Sequence, residues 1–405
     1  MSLAEAVNTV QRTLAKAPPA LRQPRVTYKD GVPSEIVTPD VGKATTQQDY
    51  RDVVTKTCEV AIPDGYELQL VEAWHNTSAW GRDAPGDDSY SRAVWRYHFK
   101  VVRTAVEVGE RRTITELQTY IKSRRSKPST TSKPTELGEV VCLADLQIGK
   151  VDERGGTAQL EDRFYGGMGE VIQRLKGSKP TEIVLAELGD GCENFQNQPD
   201  QAFSNDRNLI AQLDLHATFL TYAATELAKL APKLTVVGVP SNHMDVRVNG
   251  KAVGGPTNDY GLLTLSQLKR AFALNPRSFG HVEFAWPGPH EVSKVLNVAG
   301  TNVMFTHGHY TRGAGAADGV PKWLEHQFAA DAEYHSARVI FTGHYHHLRI
   351  QQIIGGRWWL QAPALDNGSS WLKRVNGQGD SDAGILVTRI TPAGWSSQEI
   401  LGSAA

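Results

Sequence analysis

The period of the apolar positions changes along the chain. Leu3, Val7, Val10 and Leu14 recur at helical spacing until Pro18 and Pro19 stop the run, which predicts one short helix within residues 1–20. From Cys58 to Val108 the pattern shortens to runs such as Cys58–Ile62, Tyr66–Ala73 and Val94–Val102. These are rich in β-branched and aromatic residues, are broken by Gly, Pro and Asp, and predict a small β-rich domain. After Gly138 strand-like and helix-like segments alternate: Val140–Ala144, a helical stretch over Leu160–Leu175, Ile183–Leu188, an amphipathic helix through Ile210, Leu213, Ala217, Leu220 and Leu227, then Leu234–Val239. Such alternation predicts an α/β architecture with buried strands between helices. Later runs, Val282–Trp286, Val292–Val298, Val303–Thr306, Val339–Thr342, Ile350–Ile354 and Ile385–Ile390, predict a further sheet with fewer helices between its strands.

A chain of 405 residues is long for one core. The expected organisation is an N-terminal β-rich accessory domain at 1–110, a basic Ser/Pro-rich linker at 111–137 and a catalytic domain at 138–405. Nine Lys or Arg face three Glu between Lys100 and Lys133, and that segment is read as a solvated connector or as a contact to a phosphate backbone. The net charge of −1 gives no global reason to bind nucleic acid or membranes. Three widely spaced cysteines lack the paired spacing of a structural zinc site and fit a reducing compartment. With no apolar run near the ~20 residues that span a bilayer, and no apolar signal region at the start, the expected location is cytoplasmic, without a membrane partner.

Chemistry enters where the apolar runs end. Asp145 and Gln147, Asp190 and Asn194, Asn242 and His243, His307 and His309, and His344 and His346 each follow such a run. A single Asp after a strand is ordinarily a turn or cap residue. Five polar endings in the order Asp-x-Gln, Gly-Asp-x-x-Glu-Asn, Ser-Asn-His-x-Asp, His-Gly-His and Gly-His-x-His are hard to explain as independent turns. Ligands of open α/β folds bind beyond the carboxyl ends of the strands, so the five converge on one site, and imidazole is the commonest metal ligand. His216, on the predicted helix around Leu213, is read as structural or solvent-facing.

As a set, these motifs over Val140–Ile350 resemble the calcineurin-like metallophosphoesterase family. The resemblance implies a four-layer α-β-β-α sandwich with two facing sheets, and two divalent ions as cofactors. Asp190 would bridge the ions, Asp145 and His346 would hold one, and Asn242, His307 and His344 the other. His243 would be the catalytic histidine, with Asp245 available to fix its tautomer. His309 either touches substrate or packs beside His307, and Glu193 and Asn194 are either outer partners of the metal ligands or helix N-caps, with Asn194 also a candidate substrate contact. The chain departs from the family at Ser241, where the family has Gly, and at Gln147, where it has a histidine ligand. A glutamine carbonyl is a harder, weaker donor than imidazole, which favours Mn²⁺ or Mg²⁺ over Zn²⁺. The string Ala144-Asp145-Leu146-Gln147-Ile148-Gly149-Lys150 resembles the opening of the DNA-repair exonuclease branch, and the Asp-x-Gln variant is similar to bacteriophage-encoded members. The implied activity is hydrolysis of phosphodiesters, with DNA as substrate. An enzyme on small phosphoesters and a metal-poor binding or scaffold protein remain the alternatives.

Overall fold

The computed structural model describes residues 24–29, 32–39, 41, 43–62, 66–78, 92–103, 111–124, 137–196, 201, 203–311, 316–370 and 382–402. The helix expected within 1–20 lies outside these residues. The chain divides into two compact units, Met1–Val106 and Glu107–Ala405.

In the first unit β1 (Arg25–Lys29), β2 (Val32–Val37), β3 (Tyr66–Ser78) and β4 (Arg92–Arg103) form an antiparallel sheet in the order β1-β2-β4-β3. The helix α1 (Gln47–Cys58) lies between β2 and β3 in sequence. Its Val54 shares a buried core with Ile36, Leu68, Tyr97 and Phe99. The strand expected at Cys58–Ile62 is instead the end of α1 and a loop. A capping box of Thr46 and Asp49 opens this helix, and Glu59 closes it in the left-handed region at φ 56°.

The second unit begins with α2 (Ile114–Ser123), inside the segment expected to be a linker. Its basic composition hides a helical stripe: Leu117 and Ile121, four apart, are buried in the main core. Three of the described cations there also make contacts within the chain. Arg111 pairs with Asp162, Arg112 lies over Tyr120, and Arg124 lies over Phe279. The remainder of the basic segment, 125–136, lies outside the described residues.

Next come β5 (Gly138–Leu143), α3 (Thr157–Ser178), β6 (Glu182–Glu187), α4 (Leu209–Leu227), β7 (Lys233–Gly238), a small hairpin of β8 (Arg247–Val248) and β9 (Lys251–Ala252), α5 (Tyr260–Ala273) and β10 (Val282–Ala285). After them come β11 (Ser293–Val298), β12 (Thr301–Thr306), α6 (Val320–Ala330), β13 (Val339–Thr342), β14 (Arg349–Ile353), β15 (Arg357–Gln361), β16 (Ile385–Thr391) and β17 (Gly394–Leu401). One sheet has the order β10-β7-β6-β5-β16-β17, and another the order β11-β12-β13-β15-β14. The strands β5, β6 and β7 are parallel neighbours, as are β12 and β13, so their carboxyl ends point the same way within each sheet.

Alternation along these strands sorts side chains into separate cores. Val141, Leu143, Ile183, Leu185 and Val236 pack with residues of α2 to α5. The opposite faces of the same strands give Val140, Cys142, Val184, Ala186 and Val237, which cluster with Val303, Phe305, Val339, Phe341 and Leu360 of the other sheet. Met304, Ile340 and Trp359 then pack against Val320, Leu324 and Phe328 of α6. The result is a mixed α/β unit in which both sheets contribute to one shared core. Among the described residues no helix is long and apolar enough to cross a membrane.

Candidate metal centre

The carboxyl ends of β5, β6 and β7 continue as loops that hold one another through backbone bonds. Asp145 N–H donates to Gly189 O at 3.1 Å, Gln147 N–H to Asp190 O at 2.9 Å, and Ile148 N–H to Gly191 O at 3.1 Å. These loops, with those after β12 and β13, carry the polar endings read from the sequence.

Asp190 is the hub. Its Oδ2 lies 3.0 Å from His307 Nε2, and its Oδ1 accepts from the His243 N–H at 2.8 Å. Asn242 Oδ1 is also 3.0 Å from His307 Nε2. Donor atoms of Asp190, His307 and His344 all lie within 4.8 Å of one another, the arrangement needed to surround one cation. His307 Nδ1 donates to Leu188 O at 2.7 Å, which fixes the tautomer that leaves Nε2 facing the carboxylate. Across the loops, His344 N–H donates to Asp145 Oδ2 at 2.8 Å, and His346 Nε2 stands 3.5 Å from Asp145 Oδ1.

The backbone reaches this arrangement through unfavourable conformations. Asp145, Gln147, Asp190, Asn194, His344 and His346 have φ of 49°, 42°, 52°, 60°, 74° and 61°. The other non-glycine residues with positive φ among those described are Glu59, Lys179, Asn249 and Ala299. Left-handed φ at a residue with a Cβ costs about 1–2 kcal/mol, and its concentration here marks a loop set held by its surroundings in the pose the site needs. Gly189, at φ +95°, is required in a stricter sense, since a Cβ there would lie 2.4 Å from Ser241 Cβ and 2.8 Å from His307 Nδ1. Gly189→Ala is therefore expected to cost about 1–3 kcal/mol through overpacking alone, measured as a lower midpoint in denaturant. Metal affinity should fall with it because the neighbours that must give way are Ser241, whose Oγ accepts from Asp190 N–H, and His307.

Electrostatics in the metal-free protein show a donor set that calls for a cation. Burial would lower the His307 pKa, yet the Asp190 carboxylate raises it to about 9. Burial would raise Asp190, yet His307 and His243 hold it well below the usual carboxylate range. His344 is held well below the ordinary histidine range by burial and by His307, and its Nδ1 is buried without a hydrogen-bond partner. Asp190, Asn242, His307 and His344 thus fit a divalent ion with oxygen and imidazole donors.

Other expected residues sit differently. Asp245, expected to fix the His243 tautomer, has its Oδ1 accepting from Arg247 Nε at 2.6 Å. Glu193 takes that place, its carbonyl accepting from His243 Nδ1 at 2.9 Å and its Oε2 lying 3.4 Å from the same nitrogen. Gln201, which the sequence did not flag, approaches His243 Nδ1 at 3.3 Å and donates to Glu193 Oε1 at 3.2 Å. Asn194, expected near substrate, is buried and ties its own loop to the one after β7. Its Nδ2 donates to His243 O at 2.9 Å, and its Oδ1 accepts from Phe195 N–H at 2.7 Å. His309 lies beside the centre, with its ring centroid 5.3 Å from that of His307, and burial holds it neutral with a pKa of about 3.

Ser241, where the family has Gly, uses its side chain: its Oγ accepts from Asp190 N–H at 2.8 Å. His216 is fully buried, with Nε2 3.5 Å from Glu187 Oε1.

Gln147, expected as a metal ligand, has a charged neighbour. Its Oε1 accepts from Lys150 Nζ at 2.6 Å, and the same ammonium lies 2.8 Å from Asp366 Oδ2. Asp366 Oδ2 is in turn 3.1 Å from His346 Nδ1. The Asp145 side of the centre therefore has a bound ammonium where the expected third donor was to face a metal.

No protein-family model matches the chain, and no curated protein matches it. Similar solved structures include a zinc complex of wild-type Vps29 from Entamoeba histolytica, at 12% identity and TM-score 0.28 over 62% of this chain and 84% of that one. A conserved uncharacterized protein from Streptococcus pneumoniae, described as a predicted phosphoesterase, aligns at 12% identity and TM-score 0.26 over 64% of this chain and 85% of that one. Vps29 from Chaetomium thermophilum aligns at 11% identity and TM-score 0.28 over 64% of this chain and 95% of that one.

Proposed function

We propose that this chain is a divalent-metal-dependent phosphoesterase of the calcineurin-like kind that hydrolyses phosphodiesters, with DNA as its substrate. The observation that carries it is the convergence of Asp190, His307 and His344 donor atoms within 4.8 Å, with Asn242 Oδ1 beside them and His243 on the rim. The four-layer arrangement belongs to the same proposal and is supported by the core shared between the two sheets and the helices packed on their outer faces.

A bound divalent ion supplies Lewis acidity, neutralising charge on the phosphoryl oxygens and lowering the pKa of water. The chain's own residues hold and aim the reactants. His307, Asn242, His344 and Asp190 would hold the ion. His243, anchored through Nδ1 by Glu193, keeps Nε2 4.0 Å from Asp190 Oδ2, where it can donate a proton to the leaving oxygen. Burial disfavours the charged ring, but Asp190 and Glu193 raise its pKa to about 10 in the metal-free protein, which favours the protonated form.

DNA as the substrate rests on the Ala144–Lys150 string and on the loop after β6, which carries Asp190. That loop also exposes Phe195 and Phe203, the latter 92% accessible, as faces on which bases can stack. The purified protein with Mn²⁺ should cleave labelled single- or double-stranded DNA and lose that activity in EDTA. Faster hydrolysis of a p-nitrophenyl monoester or a cyclic nucleotide than of any polynucleotide would instead assign it to small phosphoesters. Metal binding without hydrolysis of any substrate would assign it to scaffolding.

A further inference from the structure

We propose that the centre binds a single divalent ion, at Asp190, Asn242, His307 and His344, and that the ammonium of Lys150 supplies the second positive charge that another ion would otherwise bring. The inference rests on the metallophosphoesterase proposal and departs from its two-ion form.

On the Asp145 side, two of the oxygen donors that a second ion would use are taken by Lys150. Gln147 Oε1 and Asp366 Oδ2, at 2.6 and 2.8 Å, both face Lys150 Nζ. What remains beside Asp190 is Asp145 Oδ1 and His346 Nε2, 3.5 Å apart. Among the described residues the only close group of three carboxylate, imidazole or thiolate donors is Asp190, His307 and His344. A fixed ammonium next to this pocket repels a divalent cation and reduces the charge it would need to neutralise.

The ammonium is built in rather than adventitious. The Lys150 side chain is 11% exposed and that of Asp366 is 3%. Asn367 Nδ2 donates to Lys150 O at 2.6 Å, and Arg163 of α3 donates to the carbonyls of Leu365 at 3.2 Å and Asp366 at 3.1 Å. The loop that presents Asp366 is thus tied to the core on both sides of the ion pair. Glutamine at 147 is also matched to this neighbour. Its neutral carbonyl accepts from an ammonium, whereas a neutral imidazole could do so only through its one unprotonated nitrogen.

Mn²⁺ stoichiometry by calorimetry and electron paramagnetic resonance tests this without reference to activity. The parent is expected to bind one Mn²⁺ per chain and to show the spectrum of an isolated ion. Gln147→His alone should leave that stoichiometry at one, because Lys150 stays, and Lys150→Arg should do the same. The double variant Gln147→His with Lys150→Met is expected to bind two ions with a spin-coupled spectrum. Two coupled ions in the parent would overturn the inference and leave the phosphoesterase proposal standing. No bound ion in the parent would overturn the metal reading itself, and with it the inference. A double variant that circular dichroism shows folded, yet binds only one ion, would remove Lys150 from the account. Should that variant not fold, the parent and the Lys150→Arg protein still decide, since either one binding two ions contradicts the proposal.

Discussion

Asp190→Asn is expected to bring hydrolysis down to the uncatalysed background and to weaken Mn²⁺ binding by at least about 100-fold, the upper end of what losing an outer partner of a metal ligand costs. Asp190 touches several parts of the centre. Its Oδ2 lies 3.0 Å from His307 Nε2 and 4.0 Å from His243 Nε2, while its Oδ1 holds the His243 backbone at 2.8 Å. Asparagine keeps the volume, and its amide oxygen still accepts the His243 N–H, so the secondary structure and thermal midpoint should stay close to those of the parent. What disappears is the buried negative charge that opposes a divalent ion. The change is also visible without metal: His307, raised to about 9 chiefly by this carboxylate against its burial, should titrate lower in the variant. Calorimetric Mn²⁺ titration and turnover on labelled DNA, measured side by side, give the answer. Parent-like turnover at limiting Mn²⁺ would exclude Asp190 from the centre.

How much of this was visible in the sequence depends on how local each signal is. The five polar endings were legible because each lies within a few residues of an apolar run, and parallel neighbours β5, β6 and β7 bring such endings together without any long-range inference. Asp366 obeys the same rule, standing a few residues beyond β15, but Pro363 breaks the run and makes it read as an ordinary loop. Lys150 was in plain view within the Ala144–Lys150 string, yet its partner lies 216 residues away, and no spacing rule announces an ion pair across that separation. Asp245, two residues from His243, has Arg247 as its hydrogen-bond partner, a pairing that its place in the motif did not announce. Composition misled at α2, where Leu117 and Ile121 supply a helical stripe inside a basic stretch. The stripe Leu262, Leu265, Leu268 and Phe272 of α5 was equally regular and equally available from its spacing.

His243→Ala is expected to separate chemistry from metal binding, lowering kcat on DNA by about 10²- to 10⁴-fold, the usual worth of a positioned general acid. Metal affinity should hold, because the contact that His243 makes to the Asp190 carboxylate at hydrogen-bond distance comes from its backbone N–H, which alanine retains. The imidazole is aimed by Glu193, whose carbonyl accepts from Nδ1 at 2.9 Å. If Nε2 protonates the leaving oxygen, the loss must depend on how much the leaving group needs a proton. A bis-p-nitrophenyl diester, whose phenolate leaves unaided, should lose far less activity than DNA, whose alkoxide does not. The pH profile adds a second signature. A general acid works only while protonated, so parent kcat should fall as pH rises through the His243 pKa in the substrate complex. Burial works against the charged ring, but Asp190 and Glu193 raise that pKa to about 10 in the metal-free protein. An ion bound at Asp190 offsets part of the rise, which places the limb below 10, and the alanine variant should lack it. Equal losses on the nitrophenyl diester and on DNA, with the alkaline limb intact in the variant, would show that His243 orients the loop rather than delivering the proton.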